Sequence, residues 1–152
     1  MKLAFKLLSF ALFVSIVSSC SKTADAPTAA VDTASTQSAK IALGNWVISS
    51  YTQKTENKSP MFSGAVFTFS DNGVLTATQN GTVVSGAWFY SPSFVGYYGS
   101  APTKASIRIG LAAANPFANL NRTWNVVSSD NSTLSLINPE PKDDERLVFS
   151  KQ

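Results

Sequence analysis

Few side chains in this 152-residue sequence can do chemistry, and their types narrow the choices at once. The chain has one thiol, Cys20, and no histidine. Lack of imidazole removes the commonest general base, the Ser-His-Asp arrangement and most zinc sites. The one acidic cluster is Asp143-Asp144-Glu145. Paired carboxylates can hydrolyse glycosides or bind Ca²⁺. Adjacent residues on one turn, however, point in different directions, and no further acid is obviously near. The cluster therefore reads as a solvated turn before the last strand. Asp71 and Asp130 read as turn formers, and nothing resembles a Gly-rich phosphate loop leading into a helix. These residues argue against an enzyme and ask for no metal or cofactor.

What remains is Cys20, and its surroundings give it a use. Lys2 and Lys6 form a short positive region, Leu7 to Val17 is apolar, and Ser18 and Ser19 are small. That is the layout of a secretory signal peptide, with an apolar run shorter than the roughly 20 residues a spanning helix needs. Val17-Ser18-Ser19-Cys20 resembles the lipobox of bacterial lipoproteins. The resemblance implies a thiol acylated with fatty acids such as palmitate, cleavage before Cys20 and acylation of the new N-terminus. Two or more chains, at about 0.8 kcal/mol per buried CH₂, anchor a protein stably. Cys20 is thus expected to be the membrane attachment, with 1–19 as signal peptide. Ser21 follows it, whereas Asp there resembles an inner-membrane retention signal, so the outer membrane is the expected location. Residues 20–40 are rich in Ser, Thr and Ala, which predicts a flexible linker to one domain over 41–152.

Removing Lys2 and Lys6 from the 12 Lys and Arg leaves ten against 9 Asp and Glu. The signs are interspersed, so no nucleic-acid stripe is present. A single Cys excludes a disulfide framework. The domain is large enough for one small core.

The elements that must position these residues are strands. Runs at 46–52, 65–70, 74–78, 82–90, 105–110, 123–128, 133–137 and 146–150 are short and mostly rich in Val, Ile, Thr and aromatics. No stretch keeps a helical apolar period over three turns. The pattern predicts an all-β fold, a small eight-stranded antiparallel up-and-down barrel or flattened barrel. Alternation points Trp46, Ile48, Phe67, Phe69, Leu75, Val84, Trp88 and Tyr90 inward. It does the same for Ile107, Ile109, Trp124, Val126, Leu134, Leu136, Leu147 and Phe149. Asp71-Asn72-Gly73, Asn80-Gly81 and Asp130-Asn131 supply the tight turns. In a meander, connections 53–64, 79–81, 111–122 and 138–145 share one end. Three of them are long, so that end is the expected mouth, with Met61, Phe62, Pro116 and Phe117 at its lips.

Gly44-Asn45-Trp46 resembles the Gly-x-Trp that opens lipocalins, where the Trp closes one barrel end beneath a basic residue of the last strand. The resemblance makes Trp46 and Lys151 the closing pair. The wider series resembles the lipocalin-like domain of secreted bacterial lipoproteins. It runs Leu43-Gly44-Asn45-Trp46, Phe67-Thr68-Phe69-Ser70-Asp71-Asn72-Gly73, Gly86-Ala87-Trp88, Leu120-Asn121-Arg122-Thr123-Trp124-Asn125-Val126 and Leu147-Val148-Phe149-Ser150-Lys151. The domain is short for a true lipocalin, and the basic partner is Lys rather than Arg.

Two candidate binding regions follow. Phe67, Phe69, Trp88, Tyr90, Ile107 and Trp124 either line a pocket for a small apolar ligand or fill the barrel themselves. Phe94, Tyr97 and Tyr98, between Pro and Gly in 91–102, either bind sugar, lipid or protein or cover the barrel's base. The expected function is a lipid-tethered module that binds a small apolar ligand; the alternative is a non-catalytic structural or protein-interaction envelope lipoprotein with a filled core.

Overall fold

A computed structural model describes residues 28–94, 96, 101 and 103–152, with side chains from residue 35 onward. Its strands are β1 (Asn45–Gln53), β2 (Glu56–Asn57), β3 (Val66–Phe69), β4 (Val74–Gln79), β5 (Thr82–Ser91), β6 (Ser106–Leu111), β7 (Arg122–Ser129), β8 (Thr133–Ile137) and β9 (Glu145–Lys151). Eight of them fall on the eight β-type runs. The other, β2, is a two-residue arm folded back on the end of β1. Every pairing is antiparallel: β1 pairs with both β2 and β3, each strand from β3 to β8 pairs with the next, and β9 pairs with β1 along its length. The molecule is a closed eight-stranded up-and-down barrel with one extra strand and, among the described residues, one α-helix. Closure leaves the eight barrel strands without a free edge.

The turns follow from their residues. Asn80 and Gly81 both have positive φ, 52° and 78°, as a two-residue type I′ hairpin requires. Asp130 Oδ1 accepts from the backbone N–H of Ser132 and of Thr133, each at 2.7 Å. Those bonds, Ser132's foremost, hold the Asp130 carboxyl below its ordinary pKa.

Alternation is obeyed almost throughout. Of the residues expected inside, Ile48, Val84, Tyr90 and Val126 are partly buried against the core and the others are buried. The core is a single cluster inside the barrel. The mouth connections do share an end. Gln79 Nε2, beside the 80–81 turn, donates to the carbonyls of Met61 and Ser63, and the Phe62 and Phe117 rings lie 6.0 Å apart.

One region differs from expectation. Thr28–Ala42 is the helix α1, where composition predicts a linker without fixed structure. Ala is the strongest helix former, and five of the fifteen residues are Ala. The helix end is also fastened, since Ile41 is fully buried with the barrel core. Gly44, at φ 88°, turns the chain from α1 into β1, a conformation that costs a side-chain-bearing residue more.

Candidate functional site

Three places gather the side chains singled out by sequence: the base, the interior and the mouth. At the base, Trp46 and Lys151 are partners in the β1–β9 register. Lys151 Nζ stands 5.0 Å from the Trp46 ring centroid. Both also hold the helix. Trp46 Nε1 donates to the Ile41 carbonyl at 2.9 Å, and Lys151 Nζ donates to the Lys40 carbonyl at 3.2 Å. The last carbonyls of a helix have no partner within it, and a cation there meets the negative end of its dipole. The barrel-closing pair is therefore also the C-terminal cap of α1.

In the interior, Phe67, Phe69, Ile107 and Trp124 are fully buried and Trp88 nearly so. They pack on one another and on neighbouring rings. Phe67 and Phe69 lie 5.3 and 5.6 Å from Phe149, and Phe69 lies 5.3 Å from Trp88, all edge to face. The indole N–H groups are satisfied, Trp88 by the Ser70 carbonyl and Trp124 by the Leu120 carbonyl. Tyr90 is half-buried, and burial raises its pKa.

The mouth is stoppered. Short 3₁₀ turns, Ser59–Phe62 and Phe117–Leu120, drop Phe62, Phe117 and Leu120 into the opening, where all three are buried. Met61 stays exposed at the lip. Beside this plug lies a polar cluster that the sequence reading missed. Glu145 is buried rather than part of a solvated turn. Its carboxylate accepts from Tyr51 OH at 3.2 Å and Asn138 Nδ2 at 2.7 Å, and it pairs with Arg122 Nη1. The Arg122 guanidinium carbon also lies 5.4 Å from the Trp124 ring centroid. Burial, and next the Glu145 charge, push the Tyr51 hydroxyl up to about 12. The signal was available: Glu145, Leu147 and Phe149 alternate, so they share a face.

The carboxylate is satisfied, while the buried Arg122 Nε has no hydrogen-bond partner among the described residues. Each Glu145 oxygen already has a donor. Asp143 Oδ2 shares the Asn138 Nδ2 donor with Glu145, at 3.3 Å, whereas Asp144 turns away and pairs with Arg146 at 3.5 Å. The cluster ties β1, β7, β9 and the 138–144 connection together. Among the described residues no group of three His, Cys, Asp or Glu is placed to hold a metal ion.

Outside the barrel, Phe94 is half exposed and bridges to Thr103 across the base connection. Phe89 is 66% exposed on β5, opposite Arg108 in register. Cys20, Tyr97 and Tyr98 lie outside the described residues. Two surface depressions flank α1. One, of about 280 Å³, is lined by Ser38, Asp71, Asn72, Trp88, Phe89 and Tyr90 among others. The other, of about 410 Å³, lies between Ala39, Ala42 and Leu43 and the β3 end.

Among known proteins, the chain matches no protein-family model, and a search of curated proteins finds no match either. Among solved structures it is similar to a DUF4847 family protein from Bacteroides vulgatus, at 14% identity and a TM-score of 0.48. The match covers 74% of this chain and 94% of that one.

Proposed function

We propose that this chain is a membrane-tethered, non-catalytic lipoprotein whose lipocalin-like barrel is a filled scaffold, and that it works through its surface on a partner in the envelope. The observation that carries the reading is the packed interior: of the two readings open for the inward aromatics, filling is the one supported, since Phe69 packs on Trp88, Phe67 packs on Phe149, and Phe62 and Phe117 meet at the mouth. The tether rests on Val17-Ser18-Ser19-Cys20 behind a charged and an apolar region, and the outer membrane on Ser21. The Cys20→Ser variant tests the tether, since it moves to the soluble fraction if the thiol carries the acyl chains.

A second reading has its own observation. The mouth is covered by two short 3₁₀ turns and not by strands, so a small apolar ligand enters if they swing away. Native mass spectrometry of the Cys20→Ser chain, purified without detergent, separates the two. A bare polypeptide mass that does not shift with added fatty acids supports the filled scaffold. Excess mass that leaves on denaturation supports the carrier.

A further inference from the structure

We propose that the base of the barrel, through Phe89 and Phe94 with Lys104 and Arg108, rests on the bilayer that holds the tether, so that the stoppered mouth faces away from the membrane. The inference rests on the lipid-anchor reading of Cys20 and adds to it an orientation and a second membrane contact.

The path of the chain is the first argument. α1 enters the barrel at the base, where Ile41 and Lys40 are held by Trp46 and Lys151. Going back along the helix, Ala42 and Ala39 face the end of β3, and Ser38 reaches the depression lined by Trp88, Phe89 and Tyr90 of β5. The helix thus runs across the base from β1 towards the β5–β6 hairpin, and the N-terminal chain leaves on that side. Only seven residues separate Cys20 from Thr28, which at full extension span about 25 Å. The fifteen-residue helix adds about 22 Å. Acyl chains on Cys20 therefore hold the hairpin within at most about 50 Å of lipid, a confinement that raises its effective concentration at the surface.

The chemistry of that side is the second argument. Phe89 and Phe94 are 66% and 50% exposed, and Lys104 and Arg108 are exposed on the same hairpin. Between residues 72 and 129 the only charges are Lys104, Arg108 and Arg122, although Asp71, which lines the depression beside Phe89, and Asp130 stand on the neighbouring base turns. Arg122 is spent on Glu145 at the opposite end. Exposed aromatics beside two cations that form no ion pair among the described residues fit the headgroup region of an anionic leaflet.

Cys20 is the only cysteine, which makes the test direct. Acylated full-length protein takes up no thiol reagent. The Thr103→Cys variant, beside Phe94, and the Met61→Cys variant each accept one polarity-sensitive fluorophore, at the base and at the mouth. Each is reconstituted into vesicles of phosphatidylcholine and phosphatidylglycerol that carry spin-labelled lipid. We expect the probe at 103 to shift to the blue and to be quenched by the labelled lipid, and the probe at 61 to stay aqueous. Lys104→Gln and Arg108→Gln should each lower the ratio of quenched to unquenched probe by about fivefold. A protein that floats with vesicles while position 103 stays aqueous overturns this inference alone, whether or not another protein later binds the hairpin. A wild-type chain that takes up one thiol label and does not float overturns the anchor reading, and this inference with it.

Discussion

Glu145 shows what one residue can commit a fold to. A buried carboxylate is tolerated only when it is paired and hydrogen-bonded, and three donors from three different segments meet this need. Arg122→Met removes the counter-charge and leaves the carboxylate buried. Denaturant unfolding should show a loss of about 3 kcal/mol. Adding Glu145→Gln should recover part of that loss, because no charge is then buried; strictly additive losses would mean the pair carries little. Tyr51 sets a pH dependence. Its hydroxyl is ordinary near 10 when unfolded and raised to about 12 when folded, so its contribution is complete below pH 10 and fades as pH rises through about 12. Tyr51→Phe should flatten that alkaline slope in stability measured against pH, while half-buried Tyr90, also raised by burial, keeps some of it. At this scale the sequence is a partial guide. Trp46 and Lys151 are legible because register alone brings them together. Glu145 looks like its two acidic neighbours until its place in the alternation with Leu147 and Phe149 is weighed above its charge.

Strands are the legible elements here, because short β-type runs and Asn-Gly or Asp-Asn turns act locally. The closing of β1 on β9 is legible from topology. The helix α1 is not, since its stability comes from a contact far away in sequence: its end is held by Lys151, 111 residues from Lys40. The strand glycine of Gly86-Ala87-Trp88 is a further case. A Cβ at Gly86 would lie 1.8 Å from the Gly110 carbonyl oxygen and 2.7 Å from the Leu111 Cα, both backbone atoms of β6. β5 and β6 approach too closely there for any side chain. Gly86→Ala must push the strands apart, and a loss of about 1–3 kcal/mol is expected. Amide exchange should quicken along the β5–β6 pairing, where Ala87 meets Gly110 and Trp88 meets Ile109. An unchanged exchange pattern would show that the strands part without cost.

For the molecule as a whole, the question is whether filling the barrel with its own rings is what prevents it from carrying a ligand. Phe62 and Phe117 come from two different connections and touch each other, and both touch Phe67 in the barrel below, at 6.4 and 5.9 Å. They are contributed by turns, so they can be cut back without disturbing a strand pairing. Each Phe→Ala change in a core costs about 3–5 kcal/mol, and because the rings are in contact the two losses should not add. The Phe62→Ala, Phe117→Ala protein is therefore expected to be destabilised but folded, with an apolar void under the mouth. Apolar voids of this kind stay dry and take up small apolar molecules. Benzene should raise the thermal midpoint of the double variant in a concentration-dependent way and leave that of the wild-type chain unchanged. A wild-type chain that is stabilised equally would mean that the plug opens unaided, and the carrier reading would then displace the scaffold. A double variant that binds nothing would mean that the neighbouring rings, Tyr51 and Phe67 among them, collapse into the space, and that the interior is filled by design of the whole sheet rather than by its plug.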